Sequence, residues 1–298
     1  MRVAAVDIGT NSVRLLVAGP GRRWLERRVR VVRLGEGVDE TGRLAEAAIT
    51  RAVSVLEEYG EAIRRWDVKR AEAVATSALR DAENREEFLA LAERALGVRP
   101  EVIDGAEEAS LAFRGALAGL AGHPPPFLVV DVGGGSTEFV FGSGSPEYSL
   151  SIDIGSVRLT ERALPDRPAP QGRLETARRL VGELFAGLEL PGSPATVVGV
   201  AGTFTSLAAI ALELSEYDPQ AVHGTRLSAE QLAGLVDRLA AMTVEETAAI
   251  PSLDPARAPV LLGGAVVAQG ALRRAGAAQV VVSESDLLDG VASGLLGI

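Results

Sequence analysis

Two stretches of this chain share one design, and that duplication limits the possible folds more than any other feature. They are Val3-Ala4-Ala5-Val6-Asp7-Ile8-Gly9-Thr10-Asn11-Ser12-Val13-Arg14 and Leu128-Val129-Val130-Asp131-Val132-Gly133-Gly134-Gly135-Ser136-Thr137-Glu138. Each runs from a short apolar strand with a late Asp, through a turn of small residues, into a second apolar run, and so reads as a β-hairpin. A repeat spaced by about half the chain implies two similar domains facing each other.

Apolar periodicity predicts helices near 44–65, 84–96 and 105–120 in the first half, with a strand at 71–74. In the second half it predicts helices near 172–187, 203–213, 228–241 and 256–275, with strands near 148–153, 196–200 and 279–283. Alternating strands and helices place the chain in the α/β class. The run Ala121-Gly122-His123-Pro124-Pro125-Pro126 stops the preceding helix and stiffens the connection. The expected domains are therefore 1–122 and 123–298, with a last helix near 287–298 packing back on the first. A chain of 298 residues with 47% hydrophobic content can bury two cores.

The composition excludes several chemistries. Cysteine is absent, which removes disulfides, zinc–thiolate sites and a cysteine nucleophile. No apolar run approaches the roughly 18 residues of a membrane span, so a soluble, cytoplasmic protein with no membrane partner is expected. A formal charge of -10 argues against broad nucleic-acid binding, which needs basic surface to displace counterions. Lys69 is the sole lysine and follows no glycine-rich loop, which excludes a P-loop ATPase.

The turns read either as ordinary hairpins with Asp as a turn former or as a clamp for phosphates. Glycines let backbone N–H groups approach an anion, and small hydroxyl side chains add donors. Asp7 and Asp131, at the strand ends, are suited to Mg²⁺. Opposite them across each hairpin stand Arg14 and Glu138. Glu138 near Asp131 makes a carboxylate pair able to share a metal or orient a water. Arg14, unless it is simply exposed and solvated, has two readings, a cation for phosphate or an ion-pair partner for Asp7.

Between the hairpins, Asp104 with Glu107 reads as a helix-capping box. Glu108 projects about 100° further round the helix and is the better candidate base. Arg80, in Ala75-Thr76-Ser77-Ala78-Leu79-Arg80, follows a strand and is either a phosphate contact or a surface arginine. Gly199-Val200-Ala201-Gly202-Thr203-Phe204-Thr205-Ser206 opens a helix whose free N–H groups favour an anion. His123 and His223 read as structural rather than as ligands. Arg22, Arg23, Arg27, Arg28, Arg30 and Arg33 form either a solvated edge strand or a basic track for a chain of phosphates.

Together these residues resemble the exopolyphosphatase and guanosine-pentaphosphate phosphohydrolase (Ppx/GppA) family, within the actin, sugar-kinase and Hsp70 superfamily. The matching segments are DIGTNSVRLLV at 7–17, RLGEGVDETGRL at 33–44, ATSALRDAEN at 75–84, IDGAEEASLAFRGAL at 103–117, VVDVGGGSTEFV at 129–140, GSVRLTE at 155–161, GVAGTFTSLAAI at 199–210 and VHG at 222–224. The resemblance implies two facing ribonuclease H-like (actin-like) domains, each a mixed sheet flanked by helices. It implies a hydrolase that releases terminal phosphate from inorganic polyphosphate or from pppGpp. Glu108 would activate water, with Glu138 as a second acid. Asp131 and Asp7 would hold Mg²⁺, with Mn²⁺ as the alternative. Thr10, Asn11, Ser12, Arg80, Gly133, Gly134, Gly135 and Ser136 would surround the phosphate. A homodimer is the family expectation. The competing readings are a sugar or acetate kinase and a non-catalytic nucleotide or alarmone sensor on the same fold.

Overall fold

The computed structural model describes residues 1–117, 120 and 122–297, with the side chain of Arg22 left aside. The chain divides into two compact units, Met1–Gly115 joined by Asp286–Ile298, and Ala116–Ser285. Parts of the expected boundary and helix ends, namely Ala118, Gly119, Ala121 and Ile298, lie outside the described residues.

The first unit holds the strands β1 (Val3–Ile8), β2 (Ser12–Gly19), β3 (Arg23–Val31), β4 (Arg70–Ala75) and β5 (Glu101–Val102). They form one sheet in the order β3-β2-β1-β4-β5. β1, β2 and β3 pair antiparallel in succession, while β4 runs parallel to β1 and β5 parallel to β4. The second unit holds β6 (Phe127–Val132), β7 (Thr137–Gly142), β8 (Pro146–Ile152), β9 (Thr196–Val200), β10 (Arg226–Ser228) and β11 (Gln279–Val282). Its order is β10-β11-β9-β6-β7-β8. From the other end, β8-β7-β6-β9-β11 repeats the first sheet strand for strand, with the same antiparallel and parallel pairings. Two mixed sheets flanked by helices are the ribonuclease H-like arrangement that the family resemblance implied.

Alternation along each strand decides what every face touches. In the first sheet Ala4, Val6, Ile8, Val13, Leu15 and Val17 point into a core with the helices Glu46–Arg65 and Arg85–Leu96. On the opposite face Val3, Ala5, Leu16, Ala18 and Val74 pack against the helices Gly105–Leu117 and Leu287–Leu296. Asp7 and Arg14, by the same alternation, belong to this second face. The two helices there approach closely: a Cβ on Gly115 would collide with the backbone of Asp286, and one on Gly290 with that of Leu111. Only glycine allows backbones so near. Arg70 donates to the Leu295 carbonyl (3.1 Å), a cation at the end of the C-terminal helix where carbonyls lack partners.

Most expected helices are present within a few residues of their predicted ends. Missed altogether was the helix Ser156–Ala163, which begins directly after Gly155 within the motif at 155–161 and is too short for periodicity to reveal. β3 was legible only as a basic stretch. It is an edge strand, and its arginines do not form a free track: Arg27 pairs with Asp286 (3.2 Å) and Asp289 (2.9 Å), and Arg28 with Glu26. Among the described residues no helix is long and apolar enough to cross a membrane.

Candidate active site

In the first unit the turn after β1 is closed by Gly9 N–H donating to the Ser12 carbonyl (3.0 Å). Register sets Asp7 directly opposite Arg14. The Arg14 Nε donates to Asp7 Oδ2 (2.6 Å), and its Nη1 donates to Asp286 Oδ2. Of the two readings of Arg14, the ion pair is the one present. Asp7 is 3% exposed. Burial pushes its carboxyl up, Arg14 opposes the rise and Asp286 adds to it. Asp286 is held below the usual carboxylate range: burial would raise it, but Arg14 and Arg27 together outweigh that.

Four buried oxygens in this region have no hydrogen-bond partner: Asp7 Oδ1, Thr10 Oγ1, Asn11 Oδ1 and Ser77 Oγ. Asp7, Thr10 and Asn11 belong to one turn. Ser77 follows β4, and the adjoining Thr76 N–H bonds to the Ile8 carbonyl (3.2 Å). Orphaned buried polar atoms are costly unless a ligand meets them. The carboxylate and amide oxygens only accept, so they suit a hard cation or its bound water, while the hydroxyls can donate to phosphate oxygens. This donor set fits Mg²⁺ and phosphate. Among the described residues no three His, Asp or Glu side chains form a metal cage, and Mg²⁺ characteristically uses one or two carboxylates with retained water.

Glu108 lies one turn into the helix Gly105–Leu117. Asp104 Oδ1 caps that helix by accepting from the Ala106 and Glu107 N–H groups (2.9 Å each). Glu107 is exposed and Glu108 is buried, as their 100° separation requires. Arg80 does not reach into open space. It donates to Glu108 Oε2 (2.7 Å) and to the Ile103 carbonyl (3.0 Å). Burial pushes the Glu108 carboxyl up to about 7, against the pull of Arg80 and with a smaller push from Asp7. The result is a carboxylate poised to exchange a proton near neutrality.

In the second unit Gly133 N–H closes its turn onto the Ser136 carbonyl (3.1 Å). The Gly133 and Gly134 carbonyls accept from Ser156 and Val157 N–H (2.9 Å each), which pins the turn to the helix Ser156–Ala163. Gly155 permits this approach, since a Cβ there would overlap both carbonyls. Asp131 faces Glu138 in register, and both are buried, at 5% and 1% exposure. Ser151 Oγ donates to Glu138 Oε1 (2.8 Å). The start of the helix Ala201–Ala211 lies under the Arg257 guanidinium, which a Cβ on Gly202 would strike. His223 Nδ1 accepts from Glu284 N–H (3.2 Å), a structural bond.

Sequence reasoning did not find Asp286, Asp289 or Ser151, and it named Arg27 and Ser77 only within the basic stretch and the segment leading to Arg80. The first two carried a signal, an Asp-x-x-Asp capping pattern before an apolar run. The others depend on long-range pairing.

A model of the Ppx/GppA phosphatase family matches residues 18–297. The chain belongs to that family. It is 45% identical over 318 residues to a Mycobacterium tuberculosis protein named exopolyphosphatase 2, covering 99% of each chain. A solved exopolyphosphatase-like protein superimposes with a TM-score of 0.94 at 41% identity, covering 100% of this chain and 99% of the other. The Aquifex aeolicus Ppx/GppA family member gives 0.83 at 35% identity, covering 100% and 98%.

Proposed function

We propose that this Ppx/GppA family member is a phosphohydrolase that releases the terminal phosphate of inorganic polyphosphate by water attack, with Glu108 as general base. The observation that carries the reading is Glu108 itself: a buried carboxyl pushed up to about 7 and fixed by Arg80. The orphaned oxygens of Asp7, Thr10, Asn11 and Ser77 belong to the same unit.

Water oxygen attacks the terminal phosphorus, the bond to the bridging oxygen breaks, and the water proton passes to Glu108. Arg80 orients Glu108 and opposes the rise that burial imposes, so the base gains and loses its proton near neutrality. The hydroxyls of Thr10 and Ser12 in the first unit, and in the second that of Ser136 with the amides of its glycine turn, are donors for phosphate oxygens. In the first unit Asp7, and in the second Asp131 with Glu138 beside it, are the carboxylates that would hold Mg²⁺ or Mn²⁺. When bound, that ion neutralises charge on the transferred group and its leaving oxygen. The names of the relatives favour polyphosphate over pppGpp as substrate.

The test is a metal-dependent phosphate-release panel across short and long polyphosphate and pppGpp. Release from polyphosphate is expected, and release from pppGpp alone would transfer the assignment to the nucleotide. Tight binding without release from any of them would replace hydrolysis by sensing.

A further inference from the structure

The carboxylate of Asp7 is not held by its own hairpin alone. Arg14 lies between Asp7 and Asp286, bonded to both. Asp286 is clamped in turn. Its Oδ1 accepts from Leu288 N–H (3.0 Å) and lies 3.2 Å from the Arg27 guanidinium, while its Oδ2 takes Arg14. Its own N–H donates to Asp289 Oδ2 (3.0 Å), which also accepts from Arg27 (2.9 Å). Asp7, Arg14, Asp286, Arg27 and Asp289 thus form an alternating chain across β1, β2, β3 and the C-terminal helix.

Within this chain three carboxylates face two guanidiniums, so one negative charge remains when all are ionised. The Asp7 Oδ1 is left without a partner while its Oδ2 is bonded. Buried ion clusters give little net stability over apolar packing of the same volume, so stability alone is a weak reason for this one. The helix that brings Asp286 here is seated by the glycine contacts at Gly115 and Gly290, which leave little room for the carboxylate to shift.

We propose that Asp286 is a positioning residue of the reaction: by sharing Arg14 with Asp7 it fixes the Asp7 carboxylate so that Oδ2 stays bonded and Oδ1 faces the bound cation. This rests on the hydrolase reading of the site. Without the charge of Asp286, Arg14 loses one of the two carboxylates that orient it. The cluster becomes neutral, Arg14 holds Asp7 less firmly, and Asp7 attracts a divalent cation less.

The test uses Mn²⁺ as the probe, titrated into the full chain without substrate and followed by the paramagnetic signal of the free ion. Phosphate release is measured in parallel against Mn²⁺ concentration. The variant Asp286→Asn keeps an acceptor for Leu288 N–H, and Asn caps helices as well as Asp, so a folded protein is expected and is checked by thermal melting. Its Mn²⁺ dissociation constant should rise about 10- to 100-fold, the range for residues that orient a metal ligand. The Mn²⁺ needed for half-maximal release should rise with it. Asp289→Asn, one link further away, should have a smaller effect. In an Arg14→Lys background, where one ammonium cannot reproduce the guanidinium fork, Asp286→Asn should add less than about threefold.

Mn²⁺ binding within about twofold of wild type in Asp286→Asn overturns the proposal. So does an equal effect of Asp289→Asn, or an undiminished effect in the Arg14→Lys background. Wild-type protein that binds Mn²⁺ and releases phosphate, with Asp286→Asn unchanged, removes Asp286 alone. Wild-type protein that does neither removes the hydrolase reading, and the positioning role with it.

Discussion

The hairpins β1–β2 and β6–β7 have the same backbone and opposite electrostatics. Both turns close by the same bond, Gly9 N–H to Ser12 O at 3.0 Å and Gly133 N–H to Ser136 O at 3.1 Å. Both set the residue seven after the aspartate directly opposite it. In the first that residue is Arg14, an ion pair tied to the C-terminal helix. In the second it is Glu138, a like charge tied by Ser151 to β8. The two copies share one turn geometry, while one side chain per copy chose the sign of the field. A guanidinium tempers a carboxylate, whereas two carboxylates on adjacent strands create a demand for a cation or a proton.

The sharpest way to break this comparison lies with the acid that only the first unit supplies. Glu108→Gln should fold and bind substrate but lose about 10²–10⁴-fold in turnover, the range for a general base. Near-wild-type phosphate release would remove Glu108 from the role. Next comes Arg14→Met, which strips the first hairpin of its cation and leaves Asp7 and Asp286 buried together. Urea unfolding should show a loss of about 3–5 kcal/mol; a loss below about 1 kcal/mol would mean the two hairpins are held alike. Glu138→Gln, which removes the like charge from the second hairpin, should lower kcat/KM by about 10- to 100-fold with little change in melting temperature. Ser151→Ala should cost about 1 kcal/mol of stability, and an unchanged unfolding midpoint would show that Glu138 is held by other contacts.

The acidic limb of the pH–rate profile separates the units further. A base must be ionised to accept a proton, so kcat/KM should fall as pH drops through about 7, the value to which burial lifts Glu108. Arg80 lowers that value, so Arg80→Gln should move the limb to higher pH. A shift the other way would break the assignment of the base to this pair.

Much of the scaffold was legible in advance. The strand at 196–200 matches β9, and the apolar face of Glu46–Arg65 gave that helix away. Glu108 was separable from Glu107 because 100° of helix rotation buries one and exposes the other. Arg80 was harder. Its type and position fitted a phosphate contact equally well, and only the fold brings it to Glu108 across 28 residues of sequence. The basic stretch around β3 is the edge strand that one of its two readings expected, but its pairings were hidden for a related reason. Like charges adjacent in sequence look like a patch, yet alternation sends Arg27 and Arg28 to opposite faces, each with its own carboxylate.

The sequence alone determined the duplicated hairpins, the α/β class and the identity of the turn residues, because turn chemistry and hydrophobic period act over a few neighbouring positions. Only the tertiary structure decided that Asp286 shares Arg14 with Asp7 across 272 residues. That partnership depends on two glycines letting a C-terminal helix settle against Gly105–Leu117, and no local pattern encodes where a distant carboxylate comes to rest.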